Sequence, residues 1–101
     1  MNNMQQMLIN AQKMQRQMKK AQDELALKDF TVNKNGIVTV TIKGDKTVSK
    51  IEVDKDAFNE DDKEMVEESI KLALNELFET VDKENEAIEN KLTGSMKGFP
   101  F

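Results

Sequence analysis

The chain has 101 residues, of which 38% are apolar and 34% charged, with a net charge of −4. One domain spanning 1–101 is expected at that length, with little apolar material for a compact monomer. The absence of cysteine and histidine excludes disulfides and thiolate chemistry and removes the usual general base and the commonest metal ligand.

Charge is unevenly placed. Residues 1–28 hold five cations and two acids, 29–55 five and four, and 56–101 five and thirteen, giving +3, +1 and −8. A basic start on an acidic chain points to a polyanion at that end, with solvated helix faces as the plainer explanation.

The opening MQQMLINAQKMQRQMKKAQ (4–22) contains no acid. Met4, Met7, Ala11, Met14, Met18, Ala21 and Leu25 alternate spacings of three and four, an a/d heptad seam. Ala, Met, Gln, Lys and Leu favour helix, and neither Gly nor Pro interrupts, so a helix is expected over about 3–27. With Lys13 at zero, Lys20 falls at about −20°, Arg16 at about −60° and Lys19 at about −120°. These cations form a stripe opposite the seam, with Gln5 and Gln12 on the same side. Such a helix can rest its seam on protein and follow a phosphate backbone with its outer face. A lipid surface suits the pattern less, because the apolar side lacks Trp and Phe. A surface for a partner helix, with methionine as adaptable contact, is the third option.

The middle changes period. FTVNKNGIVTVTIKGDKTVSKIEV is rich in strand formers, and Val38, Val40 and Ile42 alternate with Thr39, Thr41 and Lys43. Asn35-Gly36 and Gly44-Asp45 mark turns. Three antiparallel strands are expected, near 30–34, 37–43 and 47–53.

Asn59 reads as a helix N-cap, with Glu60, Asp61 and Asp62 in the first turn, where the dipole favours negative charge. Val66, Ile70, Ala73, Leu77 and Val81 follow at helical spacing, widened by Leu74 and Phe78. The stripe then thins to Ile88 and Leu92, so the helix is expected to protrude or change partner there. Gly94 reads as its stop, and 93–101 as a mobile tail. The expected fold is α+β: a three-stranded antiparallel sheet flanked by two long helices, its uncovered surface shared with a second copy.

Nothing reads as catalytic, and an enzyme is not expected. NEDDKE is acidic but lacks the spacing of a calcium-binding loop, and a helix start explains it. No metal or other cofactor is expected. No cleavable leader and no apolar run near the ~20 residues of a membrane span is seen, so a cytoplasmic protein without a membrane partner is expected.

Taken in order, MQQMLINAQKMQRQMKKAQDEL, GIVTVTIKGD, VSKIEVD, EDDKEMVEESIKLALNE and KLTGSM resemble the YbaB/EbfC family of bacterial nucleoid-associated proteins over almost the whole chain. The opening and the closing KLTG are the more specific parts. The resemblance implies a homodimer of α-β-β-β-α protomers with helices projecting like tweezer arms. It further implies duplex DNA binding by those arms and a role in nucleoid organisation or gene expression. On this chain the implied contacts are Lys13, Arg16, Lys19 and Lys20 in the opening helix, then Lys91 in KLTG and Lys97. The chain departs from the family in having only VNKNGIV where members often carry a Gly-rich hinge.

The expected function is therefore non-enzymatic binding of double-stranded DNA in the nucleoid, mainly through phosphates. Sequence specificity should be low, because bidentate guanine recognition favours arginine and Arg16 stands alone. The acidic last helix is expected to repel DNA and to be available to a protein partner. The alternative is a coiled-coil scaffold with no nucleic-acid role.

Overall fold

The computed structural model describes residues 3–94, with side chains as far as Leu92. The order is α1 (Asn3–Leu27), β1 (Asp29–Lys34), β2 (Val38–Lys43), β3 (Val48–Val53), a 3-10 turn (Lys55–Ala57) and α2 (Lys63–Gly94). This is the expected α-β-β-β-α order, with each strand within a residue of its expected bounds. Lys97 and the expected tail lie outside the described residues, apart from the backbone at 93 and 94 that continues α2.

The strands form one antiparallel sheet in the order β1-β2-β3. Asn35 and Gly36 hold φ of 56° and 69°, the left-handed pair that lets a tight hairpin follow strand twist. On central β2, the side chains of Val38, Val40 and Ile42 are fully covered. A bulge opposite Thr41 and Ile42 pairs Ile42 with Val48 but Thr41 with Lys50. The extra residue puts Val48 on the face of Ile51 and Val53 despite a spacing of three from Ile51. The opposite face is polar, with hydroxyl and amide contacts from Thr31 to Thr41 and from Asn33 to Thr39.

α2 crosses β1 and β2 and buries Ser69, Ala73, Leu77 and Val81, one stripe at four-residue spacing. The Ser69 hydroxyl accepts from the Asn35 amide at 2.7 Å, which ties the early part of α2 to the first hairpin. Lys34 pairs with Glu76 at 2.6 Å and Lys28 with Glu84 at 3.2 Å.

α2 begins later than the sequence suggests. Asn59 accepts the Asp62 N–H at 2.9 Å but donates to the Asp56 carbonyl and the Asp62 carboxylate. It closes a turn ahead of the helix instead of capping it. The Val66 N–H bonds the Asp62 carbonyl at 2.9 Å, so Glu60 and Asp61 precede α2. The preceding 3-10 turn is capped by Asp54, whose carboxylate accepts from Asp56 N–H.

The radius of gyration is 20.3 Å, well above the roughly 13 Å of a compact 100-residue domain. The excess is an arm. Gln22, Leu25, Val81 and Asn85 line one crevice at the end of the sheet. From there α1 runs back toward Asn3 and α2 runs on toward Gly94, side by side and antiparallel.

Candidate nucleic-acid interface

The arm answers part of the heptad seam from within the chain. Leu25 is buried in the core, and Ala11, Met14, Met18 and Ala21 are half-buried on the side of α1 that packs on α2. Ile88 and Leu92 are half-buried on the far part of α2. The stripe thins after Val81 because α2 there leaves the sheet and has a single helix to cover. Toward the tip the seam opens, and Met7 is 42% exposed. Met4 is more exposed still.

Lys13, Arg16, Lys19 and Lys20 are all exposed on the outer side of α1. Lys19 lies 3.4 Å from Asp23, one turn on, and both side chains are well exposed. Such a pair is weak and screened by salt. Among the described residues, no carboxylate lies within ion-pair distance of Lys13, Arg16 or Lys20. The outer face of α1 therefore presents three uncompensated cations and a fourth that is loosely held.

Lys91 is exposed in the last described turn of α2. It is not part of the α1 stripe, and its surroundings differ in sign. Asp82, Glu84, Glu86 and Glu89 share this stretch of α2 with Lys83 and Lys91. The arm thus has a basic side made by α1 and an acidic side made by α2.

The heptad pattern leaves out Leu8 and Ile9, which are 59% and 52% exposed near the tip. The angular arithmetic that groups the cations also finds Ile9, at about −40° between Lys13 and Arg16. The signal is there, but an apolar residue is read as seam or core before it is read as surface.

Among the described residues, no group of three or more His, Cys, Asp or Glu side chains is placed to hold a metal ion. Among them, too, no helix is long and apolar enough to cross a membrane. Phe58 and Val66 line an open apolar hollow of about 520 Å³ where the 3-10 turn meets α2. It carries no convergent polar groups of the kind that fix a small ligand.

Known proteins agree with this architecture. The YbaB/EbfC DNA-binding family pattern matches residues 1–96. A nucleoid-associated protein of Enterococcus faecalis is 37% identical over 100 residues, covering 98% of this chain and 96% of that one. One from Mycoplasmopsis pulmonis is 35% identical over 101 residues, covering 98% and 100%. The crystal structure of an uncharacterized Helicobacter pylori protein superposes with a TM-score of 0.73, covering 92% of this chain and 98% of that one. At 17% identity it speaks to the fold alone. Because the family pattern and the sequence relatives run nearly end to end, the chain belongs to the YbaB/EbfC DNA-binding family.

Proposed function

We propose that this protein binds duplex DNA in the bacterial nucleoid, without catalysis, by laying the outer face of α1 against phosphates. The observation that carries this is the set Lys13, Arg16 and Lys20, exposed on one side of a supported arm with no carboxylate in reach among the described residues. Lysine is a point charge that positions on phosphate and reads bases poorly, so sequence preference should be low. The acidic side of the arm repels the duplex and leaves α2 available to a protein partner. Nucleoid-associated relatives support a cytoplasmic location on the chromosome.

The working unit is a homodimer. Val48 and Ile51 pair with Ile42 and Val40, so they stand on the core face of the sheet. α2 covers β1 and β2 there, and both β3 side chains remain exposed. β3 is also an edge strand, and an apolar exposed edge favours association. A second copy covering it supplies the core that the composition lacks.

The test is fluorescence anisotropy with a short labelled duplex across a salt series. The parent is run beside a variant with Lys13, Arg16, Lys19 and Lys20 replaced by Gln. Steep loss of affinity with salt, abolished in a variant of unchanged oligomeric state, is the expected result. Equal binding by the variant, or no binding by the parent at low salt, removes the reading and leaves a scaffold role. Light scattering that shows a stable monomer at micromolar concentration removes the dimer.

A further inference from the structure

Ile9 is an exposed β-branched apolar residue in a row of cations. Ile9, Lys13, Arg16 and Lys20 follow one another at spacings of four, three and four, so they line one face of α1. Ile9 is 52% exposed, and the helix it stands on turns its seam the other way. Burial in this protomer therefore does not account for it.

Its position along the arm differs from that of the cations. α1 extends about 33 Å from Leu25 to Asn3, and described α2 about 20 Å from Val81 to Gly94, at 1.5 Å per residue. The first nine or so residues of α1 thus reach past the described end of α2. A single helix with its side chains is about 10–12 Å across, and the major groove is about 12 Å wide. Where the two helices pack 8–10 Å apart, the arm is roughly 20 Å wide and cannot enter. The tip fits the groove, while Lys13, Arg16 and Lys20 sit at the wider part, level with the phosphates at its edge.

We infer that Ile9 enters the major groove and packs on thymine methyl groups, giving the arm a modest preference for thymine-bearing steps. This rests on the DNA-binding reading above. The thymine C5-methyl is the apolar feature of the major-groove floor, and an aliphatic side chain without donors matches it. The flanking Gln5 and Gln12 share that side of α1 and leave the methyl contact as the part that removes apolar surface from water.

The test uses two labelled duplexes of one sequence, one with thymine and one with deoxyuridine at every thymine position, which differ only in the methyl groups. Anisotropy is measured for the full chain and for Ile9→Ala, which keeps a good helix former at the site. The parent should bind the thymine duplex about fourfold tighter, the value of one methyl buried from water. Ile9→Ala should bind both duplexes alike, with the parent's salt slope. Equal binding of the two duplexes by the parent overturns the inference, as does a thymine preference that survives in Ile9→Ala. Loss of salt slope in Ile9→Ala also overturns it, because Ile9 would then be holding the cations in place. If the parent binds neither duplex at low salt, the phosphate reading falls and this one falls with it.

Discussion

Gly44 lies so close to the end of α1 that a β-carbon on it would stand 1.8 Å from the carbonyl oxygen of Leu25. The Gly44 N–H also donates to the Lys28 carbonyl at 3.0 Å. The turn between β2 and β3 is thereby pressed under the point where α1 leaves the sheet. Both neighbours are backbone and cannot rotate aside. Gly44→Ala should therefore destabilise the fold by about 2 kcal/mol or more and shift the base of the arm. Urea unfolding measures the first effect. An unchanged midpoint would show that the turn yields easily.

The seam of α1 should be energetically graded. Leu25 is buried among Val81, Leu77 and Ile42 in the core, so Leu25→Ala should cost about 3 kcal/mol. Met7→Ala, on the open part of the seam, should cost less than about 0.5 kcal/mol in the monomer. If a second copy covers Met7, the loss appears as a protein-concentration dependence of the midpoint.

Asp23 should restrain DNA binding. It holds Lys19 at 3.4 Å on the exposed face of α1. Asp23→Asn frees that cation and should tighten duplex binding about threefold at low salt, with the gain vanishing as salt rises. By contrast, Lys13→Gln should weaken binding and lower the slope of log affinity against log salt by about one. Equal slopes for the parent and Lys13→Gln would place Lys13 away from phosphate.

Asp45 gives a local pH signature. Hydrogen bonds from the Thr47 side chain and then its N–H hold the carboxyl below the ordinary aspartate range, the N–H lying 2.8 Å away. The folded pKa is below the unfolded one, so this contribution to stability is present above the ordinary aspartate pKa. It is lost as pH falls through the folded value. Carbon-detected titration should show Asp45 releasing its proton at lower pH than a free aspartate, and Thr47→Val should move it back up.

Much of the architecture is legible because local signals agree with one another. Asn35-Gly36 takes the left-handed pair that its turn type requires, and the Val-Thr alternation of β2 becomes its covered and open faces. Other features depend on three-dimensional neighbours. A heptad seam reports that Ala11, Met14 and Met18 face something apolar, but not that part of it is α2 of the same chain. Asn59 carries a capping side chain, and only the 3-10 turn at Lys55–Ala57 shows that its amide is already committed to Asp56 and Asp62. The bulge beside Ile42 is hidden in VSKIEV, where Val48 and Ile51 have the wrong spacing for one face of a regular strand. The cation stripe is legible by angle, whereas the reach of Ile9 beyond α2 depends on the relative lengths of two packed helices.

The opposed charges on the two sides of the arm amount to a transverse electric dipole on a rod. A duplex approaching at any roll angle exerts a torque that turns the α1 side toward it before contact, at distances up to the Debye length. Orientation is then settled during encounter, and fewer collisions are wasted on the wrong face. Raising salt shortens the range of that torque, so the association rate should fall along with the equilibrium affinity.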